Sequence, residues 1–236
     1  MSLCVNLSKI LAIMNKNTAI AKFPLRLIAT GLVASFLSSI SILIIASPTL
    51  AHHPNGGNVP STFAEGFLSG LGHPVIGIDH LVFVIAIGLL AALSNKLGLI
   101  IPMVFALATA LGTGIHLQSV DLPLPELVIS ASVLVMGIFL AKENKTNLAL
   151  LTVIGAIAGI FHGYAYGESI IGAETIALGA YLLGFCLIQL GISAIAFYLG
   201  KLLLKKPAFS SHLPLRFAGF TICGVGFAFL SNAILG

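Results

Sequence analysis

The sequence predicts an all-α integral membrane protein, a bundle of six transmembrane helices behind an N-terminal signal peptide. Three observations predict it. Of 236 residues, 58% are hydrophobic and only 8% are charged, against about 25% charged in a soluble domain. Mean hydropathy is +1.12. Apolar runs of the length that crosses a bilayer, about 20 residues, recur between breaks that carry Pro, Asn, Lys or acidic residues. The pI of 9.1 is therefore no sign of nucleic-acid binding, because the cations sit between apolar runs, where they set orientation. Cys4, Cys186 and Cys223 form no CxxC pattern, so neither a disulfide framework nor a thiolate metal site is expected.

Residues 1–51 read as the signal peptide. Lys9, Lys16, Lys22 and Arg26 precede an apolar stretch over 27–46, and Thr49-Leu50-Ala51 resembles a small-x-small cleavage site. The apolar stretch is long enough to serve as an uncleaved anchor instead. Cleavage would leave a chain beginning His52-His53-Pro54. Residues 52–73 are expected to be an extracytoplasmic segment. In it, Thr62 to Gly72 places Phe63, Phe67, Leu68 and Leu71 near one helical face, as in a helix lying in the membrane interface. Residues 74–236 form the membrane domain, with spans expected at 74–93, 98–117, 124–141, 147–164, 174–199 and 214–235. Pro74 and Gly77 predict a kink or a delayed start in the first span. Irregular backbone at that depth is tolerated where protein or a water-filled cavity surrounds it. On the fourth span Gly155, Gly159 and Gly163 make two overlapping GxxxG steps, a face for close helix packing.

Orientation follows from the loops. A basic leader leaves residue 52 outside the cytoplasm, and six crossings return the C-terminus to the same side. Lys96, Lys142, Lys145, Lys201, Lys205 and Lys206 then lie in inward loops and Arg216 at the inner end of the sixth span, as the positive-inside rule requires. The expected location is the cytoplasmic (inner) membrane, with both ends of the mature chain extracytoplasmic.

With this topology the polar residues gather on the outer side. An ionisable group in hydrocarbon costs roughly 2.5–3.5 kcal/mol on insertion scales, so such groups tend to mark an ion or proton path. His73, Asp79 and His80 stand at the outer end of the first span, His116 near that of the second, and His162 near that of the fourth. Glu168 and Glu174 follow just beyond His162, and Asp121 and Glu126 occupy the outer loop before the third span. Imidazoles with carboxylates suit a divalent first-row metal. Each residue also has a plainer explanation. Asp79 could cap a helix start, His73 and His116 could be solvated at the interface, His162 could be a packing residue between glycines, and the four outer acids could be wet loop residues. Three spans that place histidine at one depth favour a shared site.

The run His73-x5-Asp79-His80 and the run Phe161-His162-Gly163-Tyr164-Ala165-Tyr166-Gly167-Glu168 resemble the HupE/UreJ family of hydrogenase and urease accessory membrane proteins, regarded as secondary nickel or cobalt permeases. The resemblance implies a cleavable leader, six spans and a metal site at His73, Asp79, His80 and His162. Two positions depart from the family pattern. Tyr166 stands where many members have histidine, and the glutamate usual at position 169 appears one residue earlier, as Glu168, with Glu174 a competing ligand.

These readings converge on capture of Ni²⁺ or Co²⁺ from outside and secondary transport inward to supply a metalloenzyme. His52 and His53 would form a loose collecting site. His73, Asp79, His80 and His162 would bind the ion, assisted by His116 and by Glu168 or Glu174. Gln189, Ser193 and Asn232 could line a path or hold the ligands, or simply bond between helices. Affinity is expected to fall in acid, because ligands must lose protons to bind metal. The sequence has no Walker A motif and no HExxH, so neither ATP-driven pumping nor intramembrane proteolysis is expected, and the chain is read as no enzyme. The alternative is an accessory protein that binds metal or haem without transporting it. No resident cofactor is expected. The expected partners are the metal ion and the lipid bilayer, with homo-oligomerisation left open.

Overall fold

The computed structural model describes residues 59–94, 97–142, 147–205 and 212–235. The leader, His52 and His53 lie outside the described residues. These residues form helices α1 (Phe63–Ile76), α2 (Ile78–Leu93), α3 (Ile100–Leu117), α4 (Pro125–Ala141), α5 (Leu148–Glu168), α6 (Thr175–Leu204) and α7 (Leu213–Leu235). No strand occurs among them.

Helix α1 starts at a capping box. The Glu65 amide donates to Thr62 Oγ1 at 3.2 Å, and the Thr62 amide donates back to the Glu65 carboxylate at 3.3 Å. A helix does occupy the segment Thr62–Gly72, and it runs on to Ile76 and packs on α6. Its Gly66, Ser69, Gly70, His73 and Pro74 are buried, with Gly66 and Gly70 pressed against the Ala177 and Tyr181 carbonyls of α6. The kink falls at Gly77 rather than Pro74. Pro74 is accommodated inside α1, whereas Gly77 is extended (φ −72°, ψ 102°), and α1 and α2 meet there at 80°. A Cβ at Gly77 would stand 2.6 Å from His80 Cδ2. The missing side chain is what lets the His80 ring fold over the elbow.

By length and composition, four helices (α3, α5, α6 and α7) can cross a membrane, and the bent pair α1–α2 can count as a fifth crossing. The expected third span is the apolar helix α4, which is shorter, with 17 residues between a proline at its N-terminus and Lys142.

Small residues set the pairing. Helices α3 and α5 run side by side in one direction, with Gly159 against Ala108, Gly163 against the Thr109 carbonyl and Gly167 against the His116 ring. The predicted GxxxG face is therefore the α3 contact. In the same way α1 and then α2 follow α6, while α4 and α7 run antiparallel. Such close approach adds dispersion contacts that lipid cannot supply. The largest apolar cluster includes Phe83, Ile87, Leu90, Phe105, Met136 and Leu140. A smaller one of Tyr166, Ile170, Tyr181 and Phe185 lies nearer the elbow.

The described cations lie at the end of the bundle away from the elbow. Lys142 and Lys205 terminate α4 and α6. Lys201 Nζ donates to the Ser94 carbonyl at 3.2 Å, and Arg216 Nε donates to the Ala141 carbonyl at 3.0 Å. Both meet carbonyls left over at helix C-termini, where the dipole favours positive charge. Arg216→Ala is expected to lower stability by about 1–2 kcal/mol, since hydrogen bonds from charged groups contribute about 1.5–3 and this one is half-exposed. Thermal unfolding in detergent checks it, and an unchanged midpoint would remove Arg216 from the set of stabilising contacts.

Candidate metal centre

The Gly77 elbow turns the last turn of α1 and the first turn of α2 toward each other. It brings the His73 and His80 rings to a centroid distance of 6.0 Å. From α5, His162 meets His80, Nδ1 to Nδ1, at 2.7 Å. The three imidazoles are 2%, 1% and 0% exposed respectively for His73, His80 and His162, so none of them is a solvated interfacial histidine. Asp79 is half-buried in the first turn of α2, and its Oδ1 accepts from the His80 amide at 2.9 Å. A helix N-terminus lowers the cost of that carboxylate. The N-cap position is taken by Gly77, with no side-chain cap bond, so Asp79 is a first-turn carboxylate beside His80 and not the cap.

Hydroxyl groups hold the imidazoles from behind. Ser132 Oγ on α4 lies 3.0 Å from His162 Nε2. His73 Nδ1 lies 3.0 Å from Ser169 Oγ and 3.1 Å from the Tyr181 hydroxyl. Both of those hydroxyls also reach the Tyr166 carbonyl, at 3.1 and 2.9 Å. Aromatic rings close the space on two sides. Toward α1, the fully buried Tyr166 ring stands edge-on to His73 and His80, at 4.8 and 4.6 Å. Toward the large apolar cluster, Phe83 and Phe105 pack on His162 at 4.5 and 5.6 Å.

Among the described residues no three or more His, Cys, Asp or Glu side chains are spaced as a ready-made metal cage. The geometry says why. Tyr166 packs against both His73 and His80, and His80 and His162 bond each other. Metal–imidazole bonds of about 2.0–2.1 Å, the zinc value, need the two nitrogens roughly 3 Å or more apart. At 2.7 Å the pair must part to admit an ion.

The other candidates stand outside this cluster. His116 is half-buried and packs on Tyr164 at 4.3 Å, and the Tyr164 hydroxyl reaches Asp121 at 3.4 Å. Glu168, Glu174 and Glu126 are exposed. Glu168 ends α5, and Glu174 stands at the N-cap position of α6 without a side-chain cap bond. One residue turns a helix by about 100°, so position 169 faces His73 while position 168 faces out. The one-residue displacement of the glutamate in this sequence therefore places Ser169 inside and Glu168 outside. Of the second tier, Gln189 pairs with Thr109 (3.3 and 3.4 Å), both buried, and Ser193 bonds the Val84 carbonyl at 3.2 Å. Asn232 is exposed. Ser132, Ser169, Tyr181, Phe83 and Phe105 were not foreseen from the sequence. A serine or tyrosine in an apolar run gives no sign of whether it bonds its own helix or a neighbour.

Comparison with known proteins agrees with the two motifs. The profile of the HupE / UreJ protein family matches residues 40–229. Protein HupE of Rhizobium leguminosarum bv. viciae is 30% identical over 128 residues, which are 54% of this chain and 64% of the relative. The match thus spans just under two thirds of that relative's length. No solved structure matches the chain. With most of its membrane domain and both histidine motifs inside the matched region, the chain belongs to the HupE / UreJ family.

Proposed function

We propose that this chain is a secondary permease that carries nickel, or cobalt, inward across the cytoplasmic membrane to supply metalloenzyme maturation. The observation that carries this reading is the buried meeting of His80 and His162, from different helices, with His73 and Asp79 beside them. Buried imidazoles and a carboxylate at membrane depth are costly unless they serve an ion. The N-terminal segment 1–51 acts as signal peptide, α1–α2 and α4 complete six crossings, and both mature termini face outward. The gathering of described cations at the opposite end supports that orientation.

In this scheme His52 and His53 collect the ion, and His116, Glu168 and Glu174 attract it at the mouth. His73 takes it up and passes it to His80, His162 and Asp79, where the paired nitrogens part to admit it. Nitrogen and oxygen ligands replace the hydration shell, and the divalent charge offsets the Asp79 carboxylate. The Gln189–Thr109 pair and Ser193 lie on helices leading inward from the centre. A haem centre fits poorly, because no porphyrin plane passes between the paired nitrogens or between the rings packed on them.

Radiolabelled nickel uptake into proteoliposomes containing the purified chain tests the proposal. Accumulation above protein-free liposomes, reduced by excess cobalt, is the expected result. Binding without accumulation would overturn the permease reading in favour of a metal-holding accessory protein.

A further inference from the structure

We propose that Ser132 is a positioning residue that fixes the tautomer of His162, so that Nδ1 presents its lone pair toward His80 and the incoming ion. The ion-facing part rests on the permease reading above; the tautomer itself does not.

Ser132 Oγ has two close partners, the Ile129 carbonyl at 2.6 Å and His162 Nε2 at 3.0 Å. A serine hydroxyl has one hydrogen, and a carbonyl can only accept. The hydrogen therefore goes to Ile129, and toward His162 the same oxygen accepts. Nε2 of His162 must carry the N–H. A neutral imidazole has one N–H, which leaves Nδ1 bare, and His80 Nδ1 supplies the hydrogen in the 2.7 Å contact between the rings.

Burial makes the assignment matter. His162 is 0% exposed and Ser132 8%, with Phe83 and Phe105 against the imidazole, so solvent does not take over the serine's part. Bonding to the carbonyl of its own helix is ordinary for a membrane serine and accounts for the Ile129 contact. The second contact is to a different helix and ends on the imidazole nitrogen that faces away from His80. An outer partner on the far nitrogen is the arrangement that fixes ring orientation and raises ligand basicity at metal sites, and losing one typically costs 10–100-fold in metal affinity or activity.

The test is nitrogen-15 histidine NMR on the purified full chain in micelles, without metal, with His162 identified by the signal lost in His162→Gln. Wild-type His162 should show a protonated Nε2 and a bare Nδ1. Ser132→Ala should disturb that pattern and weaken nickel binding about 10–100-fold, and Ser132→Thr, which keeps the hydroxyl, should restore both. A wild-type His162 protonated at Nδ1 overturns the proposal, even if Ser132→Ala does not fold. So does Ser132→Ala with unchanged spectrum and affinity. A wild-type chain that binds nickel without carrying it leaves the tautomer result standing and overturns the permease reading alone.

Discussion

Replacing His80 or His162 with alanine is expected to bring labelled nickel uptake down to the level of cells lacking the chain. Each substitution removes a ligand and strands its former partner, since the two nitrogens are 2.7 Å apart and the rings are 1% and 0% exposed. An unmatched buried polar group costs about 1–3 kcal/mol, so uptake must be compared at equal amounts of folded protein. Asp79→Asn separates two roles. The asparagine oxygen can still accept from the His80 amide, as Asp79 does at 2.9 Å, but it brings no charge to a divalent ion. Uptake should collapse in this variant while the helix start survives. Glu168→Gln and Glu174→Gln, at exposed positions, should lower uptake by a few-fold at most. Normal uptake in both His80→Ala and Asp79→Asn would contradict the site assignment.

The second large effect concerns packing. Gly163→Ala is expected to destabilise the bundle by about 1–3 kcal/mol, the usual cost of overpacking. Its Cβ would meet the Thr109 carbonyl and the backbone behind it, and backbone cannot step aside as a flexible side chain can. Pushing α3 from α5 also shifts the neighbouring His162. Gly179→Ala is the control. Nothing lies within 4 Å of the added carbon there, and alanine is preferred over glycine in a helix by about 0.8–1.0 kcal/mol. Thermal unfolding in detergent should show a lower midpoint for the first variant and an equal or higher one for the second. Equal midpoints for Gly163→Ala and wild type would mean that the close α3–α5 contact contributes little.

Much of this was legible in the sequence because hydrophobic runs and polar exceptions are local signals. The apolar segments became α2 to α7 within a few residues at each end. Gly155, Gly159 and Gly163 became the α3 face of α5, because side chains four apart share a helical face. His80 and His162 stood out as imidazoles in apolar runs, and the structure pairs them. What depends on tertiary contacts was not legible. Pro74 and Gly77 together pointed to a break, but only the tertiary structure puts it at Gly77, where the His80 ring occupies the space a Cβ would fill. The Thr62–Gly72 segment announced its apolar residues, but not that Gly66 and Gly70 would press on α6, because a small residue gives no local sign of a partner helix. His116, Glu168 and Glu174 shared a depth with the cluster, but depth does not give the angle around the helix. Ser132 and Tyr181 carried no signal at all, since nothing local says which helix their hydroxyls will face.

Nickel K-edge X-ray absorption on the purified, nickel-loaded chain tests the central claim most directly. Binding at the buried pair predicts imidazole scattering from at least two histidines, losing one imidazole in His80→Ala and in His162→Ala. An oxygen-only shell, or a spectrum unchanged in both variants, would contradict it.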